Sequence, residues 1–192
     1  MTDLKDKRVA FLTAAEGIER VELTHPWDAV LSAGATADLL STEAGEVQTY
    51  DHLDKAEKRT VDRRVSEADV SEYDGLVLPG GVANPDALRT DEDAVEFIRA
   101  FVASGKPVAA ICHAGWLLAE ADVARGRRVT SWPSLETDLR NAGAEWLDEP
   151  LVTDGNLITS RKPDDLPGFT NAFLEALAHG SAGTADPLEE PS

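Results

Sequence analysis

The sequence predicts an α/β fold in which a doubly wound, mostly parallel sheet carries helices on both faces. Three observations lead there. Short, continuous apolar runs such as Val9–Thr13, Leu76–Leu78 and Val108–Ile111 have the length and composition of strands buried on both faces. Stretches with helical apolar spacing alternate with them, as parallel strands require of their crossovers. The loops after three of these runs hold Glu19, Gly80-Gly81 and Cys112, and ligands of such sheets bind at the carboxyl ends of the strands.

The elements follow in order. Val9–Thr13 is the first strand, and Val21, Leu23, Trp27, Val30 and Leu31 then recur at helical spacing up to the stop at Ala33-Gly34. Pro26 marks either the first turn of that helix or a kink. Thr36–Ser41 and Glu46–Tyr50 read as a strand and a hairpin arm around Glu43-Ala-Gly45, and the charged stretch Asp51–Asp69 as surface chain. Tyr73–Gly81 is a strand ending in a diglycine. Asp91–Ser104 is an amphipathic helix with acids in its first turn, ended by Gly105.

Val108–Ile111 runs straight into a helical pattern that begins at Trp116-Leu-Leu118. Beyond it lie a strand at Val129–Trp132, a helix capped by Ser134 and stopped by Gly143, and short strands at Trp146–Leu147 and Leu157–Ser160 flanking the Asp154-Gly-Asn156 turn. Phe169, Phe173, Leu174 and Leu177 carry a last helix. The expected organisation is one domain over residues 1–179 and a disordered acidic tail over 180–192.

Composition narrows the function. Thirty-six acids against 18 Lys and Arg give a net charge of −18, which repels nucleic acid and anionic membrane. No run has transmembrane length, and the start of the chain is too polar for a signal peptide, so a cytoplasmic protein is expected. A single cysteine excludes an internal disulfide framework and CxxC motifs, and four scattered histidines offer no zinc-ligand spacing, so no metal or cofactor is expected.

That single cysteine, Cys112, stands where a strand stops and a helix starts. Turns of this kind lift a nucleophile out of a sheet, and helix N–H groups beneath it favour a thiolate. His113 follows it directly. Side chains at consecutive positions entering a helix point about 100° apart, so the two are not expected to face each other within one chain. Gly80 and Gly81 let backbone approach a ligand closely.

Phe11-Leu-Thr-Ala14, Glu19-Arg-Val-Glu-Leu23, Tyr73–Gly81, Gly105–His113 and Thr130-Ser-Trp-Pro133 resemble the ThiJ/PfpI superfamily, with PfpI-type intracellular proteases as the nearest branch. Asn141–Trp146, Asp154-Gly-Asn156 and Ser160-Arg-Lys-Pro163 extend the resemblance over roughly residues 8–177. It implies a flavodoxin-like fold related to class I glutamine amidotransferase domains, assembled as a homodimer or larger homo-oligomer. It further implies Cys112 as nucleophile and Glu19 as the acid touching the thiol. Glu19 then helps only if protonated, because an ionised carboxylate would repel a thiolate. Gly80 and Gly81, with the His113 N–H, match an oxyanion hole. His113 matches a triad histidine whose acid comes from an adjacent subunit, and Asp86 falls at that acid's position with a side chain one methylene shorter than the family's glutamate.

An amidotransferase triad fails, because the only histidine downstream of His113 is His179 near the end of the chain. The resemblance implies a stress-related cysteine hydrolase acting on peptides or amides. Two alternatives stand beside it: glyoxalase III or deglycase action on methylglyoxal and its adducts, and a non-enzymatic redox-sensing or chaperone-like role. The expected partner is accordingly a small carbonyl compound or a peptide.

Overall fold

The computed structural model describes residues 4–179; the expected acidic tail at 180–192 lies outside them. In chain order the elements are β1 (Arg8–Thr13), β2 (Glu16–Glu19), α1 (Arg20–Ser32), β3 (Thr36–Ser41), β4 (Glu46–Asp51), β5 (Asp54–Thr60), β6 (Arg63–Arg64) and β7 (Gly75–Leu78). There follow α2 (Ala83–Leu88), α3 (Glu92–Ala103), β8 (Val108–Ile111), α4 (Gly115–Glu120), β9 (Arg128–Val129), α5 (Glu136–Asn141), β10 (Glu145–Trp146), β11 (Leu151–Asp154), β12 (Leu157–Ser160) and α6 (Leu166–His179).

Seven strands form the central sheet in the order β11-β12-β8-β7-β1-β3-β6, parallel except for β11 at one edge. Alternate residues of its strands feed two cores. Ala10, Leu12, Leu76, Leu78, Val108 and Ala110 pack with α3, α4 and α5 on one face. Val9, Phe11, Val77, Ala109 and Ile111 pack with α1 and α6 on the other. Two apolar faces covered by helices make this the doubly wound, flavodoxin-like fold expected of continuous apolar strands.

Several local expectations are corrected. The arm at Glu46–Asp51 does not pair with β3. It joins β2 and the charged β5 in a separate three-stranded sheet whose β4–β5 hairpin overhangs the carboxyl end of the central sheet. β5 escaped notice because nearly all its side chains face solvent, which removes the apolar alternation. Pro26 lies buried inside α1 and offers no N–H to the carbonyl of Glu22. Ser134 caps nothing; a 3-10 turn at Pro133–Leu135 precedes α5. The hairpin at Asp154-Gly-Asn156 joins β11 to β12, whereas Trp146 pairs through β10 with β9.

Candidate active site

Cys112 follows β8 with φ = 62°, a left-handed conformation that an L residue adopts only under constraint from its surroundings. The constraint comes from both sides: the Trp132 N–H donates to the Cys112 carbonyl at 3.1 Å, and a 3-10 turn continues into α4. The result is a sharp strand-to-helix elbow with the thiol at its apex. The side chain is 6% exposed, at the floor of a cavity of about 460 Å³.

The left-handed turn also overturns the expectation that Cys112 and His113 look apart. Helical spacing does not apply across a residue at φ = 62°, and Sγ lies 3.2 Å from Nδ1 of His113. The imidazole is sandwiched by indoles, stacked on Trp132 at 5.6 Å and meeting Trp116 edge-on at 5.4 Å. Burial lowers its pKa and keeps it neutral. Trp116 is itself held by donating to Asp138 at 2.8 Å.

The acid against the thiol is Glu22, not Glu19. Glu19 ends β2, and its Oε2 accepts the His52 N–H of the overhanging hairpin at 3.1 Å. Glu22 lies in the first turn of α1, has no exposed surface, and faces the Cys112 side chain. Its Oε2 accepts the Gly80 N–H at 2.9 Å, while its buried Oε1 has no hydrogen-bond partner among the described residues. Burial pushes its carboxyl up to about 8, so it keeps its proton at neutral pH. A signal for Glu22 exists in the sequence: with Pro26 and Val30 it lies at i, i+4 and i+8, on the buried stripe of α1 beside Leu23.

The diglycine holds this arrangement by having no side chains. A Cβ on Gly80 would lie 2.5 Å from Glu22 Oε2, and one on Gly81 would collide with the Gly17 carbonyl. Asn84, fully buried, clamps the loop: its Oδ1 accepts from Ala14 N–H at 2.7 Å, and its Nδ2 donates to the carbonyls of Pro79 and Gly80 at 2.9 and 3.0 Å. The expected oxyanion hole is changed accordingly, because the Gly80 N–H is already given to Glu22. The backbone N–H groups of His113 and Gly81 favour the charged form of the Cys112 thiol.

Burial pushes the Cys112 thiol up, against the expectation that a helix N-terminus lowers it. α4 has only six residues and begins beyond the turn, whereas the thiol is nearly closed off from water. The two backbone N–H groups oppose this rise, and an ionised Glu22 would add to it. Protonated, Glu22 becomes a donor to the sulfur instead.

Asp86 is not part of the cavity. It is exposed on α2, and its side chain has no partner among the described residues. The cavity is instead lined by Glu16, Glu19, Glu22, Cys112 and His113, with Tyr50, His52 and Leu53 from the β4–β5 hairpin and Trp132 opposite. Neither the hairpin nor Trp132 was assigned to the site on sequence grounds, since neither carries a nucleophile, acid–base pair or ligand spacing.

The model of the DJ-1/PfpI family matches residues 7–176. Among curated proteins, the protein/nucleic acid deglycase 2 of Escherichia coli (strain K12) is 42% identical over 172 residues, spanning 89% of this chain and 98% of its own. The “Putative cysteine protease YraA” of Bacillus subtilis (strain 168) is 39% identical over 171 residues, spanning 89% and 98%. Among solved structures, the DJ-1beta of Drosophila melanogaster superposes with a TM-score of 0.80 at 29% identity, over 90% of each chain. A two-domain protein of Anabaena variabilis with DJ-1/ThiJ/PfpI-like and ferritin-like domains superposes with a TM-score of 0.85 at 37% identity, over 91% of this chain and 49% of that one.

Proposed function

The chain belongs to the DJ-1/PfpI family, and on that premise we propose that it is a cysteine-dependent deglycase, acting on the adducts that 2-oxoaldehydes such as methylglyoxal form with amines. One observation carries the reading: a buried, protonated carboxyl, that of Glu22, lines the same cavity as the Cys112 thiol. Carbonyl rearrangement needs a thiol that adds to an aldehyde carbon and an acid–base group that moves protons beside it. Both are in place, with a neutral His113 at 3.2 Å from sulfur to receive the thiol proton.

The steps balance without an outside oxidant. An aminocarbinol adduct loses its amine, the C–N bond breaking with protonation of nitrogen, and the freed aldehyde carbon takes the Cys112 sulfur to give a hemithioacetal. Glu22 and His113 then carry the proton from that carbon to the neighbouring carbonyl carbon. The first carbon is oxidised to a thioester as the second is reduced to an alcohol. Water breaks the C–S bond, releasing a 2-hydroxy acid and restoring the thiol.

Amide hydrolysis, the reading favoured on sequence grounds, is supported by the name of the Bacillus relative. It asks more of the site: an oxyanion hole, from which the Gly80 N–H is withdrawn, and an acid for His113, which Asp86 does not supply within the chain.

The test measures lactate and regenerated Nα-acetylarginine released from the methylglyoxal adduct of Nα-acetylarginine, beside cleavage of a fluorogenic peptide, for wild type, Cys112→Ser and Glu22→Gln. Lactate release lost in Cys112→Ser and reduced at least a hundredfold in Glu22→Gln is expected, taking removal of a general acid–base group as roughly 10²–10⁴-fold. Peptide cleavage that needs Cys112, with no lactate, would replace the deglycase by the hydrolase.

A further inference from the structure

We propose that the cavity is a charge filter in which Glu16 and Glu19 favour adducts carried on neutral or cationic groups, such as a guanidinium side chain, and turn away phosphate-bearing ones. The proposal rests on the reading of the Cys112 cavity as the substrate site and names the substrate class within it. The Escherichia coli relative is named for both protein and nucleic acid; the wall of this cavity separates the two.

Three glutamates line the cavity and, among the described lining residues, no lysine or arginine does. Arg20, Lys162 and Arg161, near lining residues in sequence, are held elsewhere, while Lys55 stands exposed on β5 opposite Tyr50 and does not line the cavity. Arg20 bonds Asp51 at 2.7 Å and lies 3.7 Å from Glu57, Lys162 pairs with Asp164 at 3.2 Å, and Arg161 is taken by Asp148 and Asp165 at 2.8 and 3.0 Å. The two histidines do not reverse the sign. His113 is kept neutral by burial, and the His52 ring is 86% exposed, 3.8 Å from Glu19 Oε2.

Glu16 stands exposed at the mouth, within 3.4 Å of the Tyr50 hydroxyl, and Glu19 lies deeper, its side chain 12% exposed. Leu53, Val82 and Trp132, three of the four exposed large apolar side chains among the described residues, surround the same opening. Apolar walls around like charges concentrate their field on whatever enters. Toward Glu16 and Glu19 a guanidinium brings the opposite charge and N–H donors; a phosphate brings the same charge.

The test reads the field through the sole cysteine, without requiring turnover. Cys112 is labelled by a cationic trimethylammonium-ethyl and an anionic sulfonatoethyl methanethiosulfonate, each forming a mixed disulfide and releasing methanesulfinate. The cation-to-anion rate ratio, divided by that of free N-acetylcysteine amide, is expected to be about tenfold at low salt and to shrink as salt is added. Glu16→Gln and Glu19→Gln should each reduce it about threefold, and the double variant should bring it near one. Asp6→Asn, at the opposite end of the sheet, should leave it unchanged.

A wild-type ratio near one, or an equal drop in Asp6→Asn, overturns the filter and leaves only the general effect of the −18 net charge. A second arm compares lactate release from methylglyoxal adducts of Nα-acetylarginine amide and of guanosine monophosphate. Equal rates for both, in wild type and double variant alike, also overturn it. No lactate from either adduct sinks the deglycase reading while the labelling ratio still decides the filter.

Discussion

Glu22 and Cys112 face each other with Gly80 between them, and the Gly80 N–H is bonded to the carboxyl at 2.9 Å. The contact ties the first turn of α1 to the elbow after β8, joining residues 90 positions apart in sequence. It also stores a proton in the core, which makes the folded state sensitive to pH.

The sign follows from the direction of the shift. Folding raises the Glu22 pKa from 4.5 to about 8. Below 4.5 the carboxyl is protonated in both states. Between there and 8 the unfolded chain ionises while the folded one does not, so stability falls as pH rises and the group's contribution is gone above 8. The full span is on the order of 5 kcal/mol. Urea unfolding at pH 5 and pH 8 should therefore show a steeper loss in wild type than in Glu22→Gln, with Glu19→Gln retaining the wild-type slope. Equal slopes in wild type and Glu22→Gln would mean that Glu22 is ionised in the fold.

The same proton shapes the thiol. Below about pH 8 Glu22 presents an O–H rather than a negative charge, so it supports a thiolate. The thiol itself titrates above its ordinary value, where wild-type Glu22 is already ionised and repels a thiolate. Glu22→Gln and Glu22→Leu both remove that charge and should each lower the midpoint of thiolate absorbance, Gln by more because its amide also donates to the sulfur. In wild type, turnover should fall as pH climbs past 8 and the donor becomes a like charge. A Glu22→Leu midpoint equal to wild type would show that no ionised carboxylate faces the thiolate.

Much of this was legible in the sequence, and its limits have physical causes. The strands of the central sheet read clearly because Val9–Thr13 and Val108–Ile111 are buried on both faces, so no polar alternation blurs them. Cys112 was legible from its place at a strand–helix junction. Glu22 was missed because an acid two residues into a helix is ordinarily a solvated residue that favours the dipole. Its burial depends on α1 turning that stripe toward the diglycine, which is tertiary information. The Cys112–His113 contact was missed because helical spacing was assumed across a residue whose backbone is left-handed.

Asp86 yields a test of assembly. For it to serve His113, a neighbouring subunit must bring its own Asp86 to this cavity, since within the chain the side chain is exposed and unpartnered. A shared triad predicts that Asp86→Asn lowers turnover at least tenfold in an oligomer that sedimentation resolves as intact, judged against roughly 10²–10⁴ for a lost acid–base function. The deglycase chemistry proposed above needs only Glu22 and His113 beside the thiol, and predicts a change below about threefold, within the usual effect of an exposed substitution.

Asn84 supplies the last prediction, because its amide bonds through both its oxygen and its nitrogen while a buried hydroxyl, that of Thr130, has no partner among the described residues. The Asn84 side chain joins the end of β1 to both carbonyls of the Pro79-Gly80 turn through three hydrogen bonds of 2.7 to 3.0 Å. Asn84→Ala leaves the Ala14 N–H and two carbonyls in a dry interior, where an unsatisfied group costs about 1–3 kcal/mol. A loss of roughly 2–5 kcal/mol is therefore expected, allowing for partial relaxation. The diglycine should also loosen its hold on Glu22, so the stability slope between pH 5 and pH 8 should flatten toward that of Glu22→Gln. Thr130 provides the contrast: it is 1% exposed and its hydroxyl has no partner among the described residues. Thr130→Val removes that hydroxyl at nearly constant shape and should be neutral or stabilising by about 1 kcal/mol, since it relieves an unpaired group rather than creating one. Chemical denaturation of both variants separates the cases. An Asn84→Ala protein as stable as wild type, with its pH slope intact, would show that the loop is fixed by its glycines and β2 contacts alone.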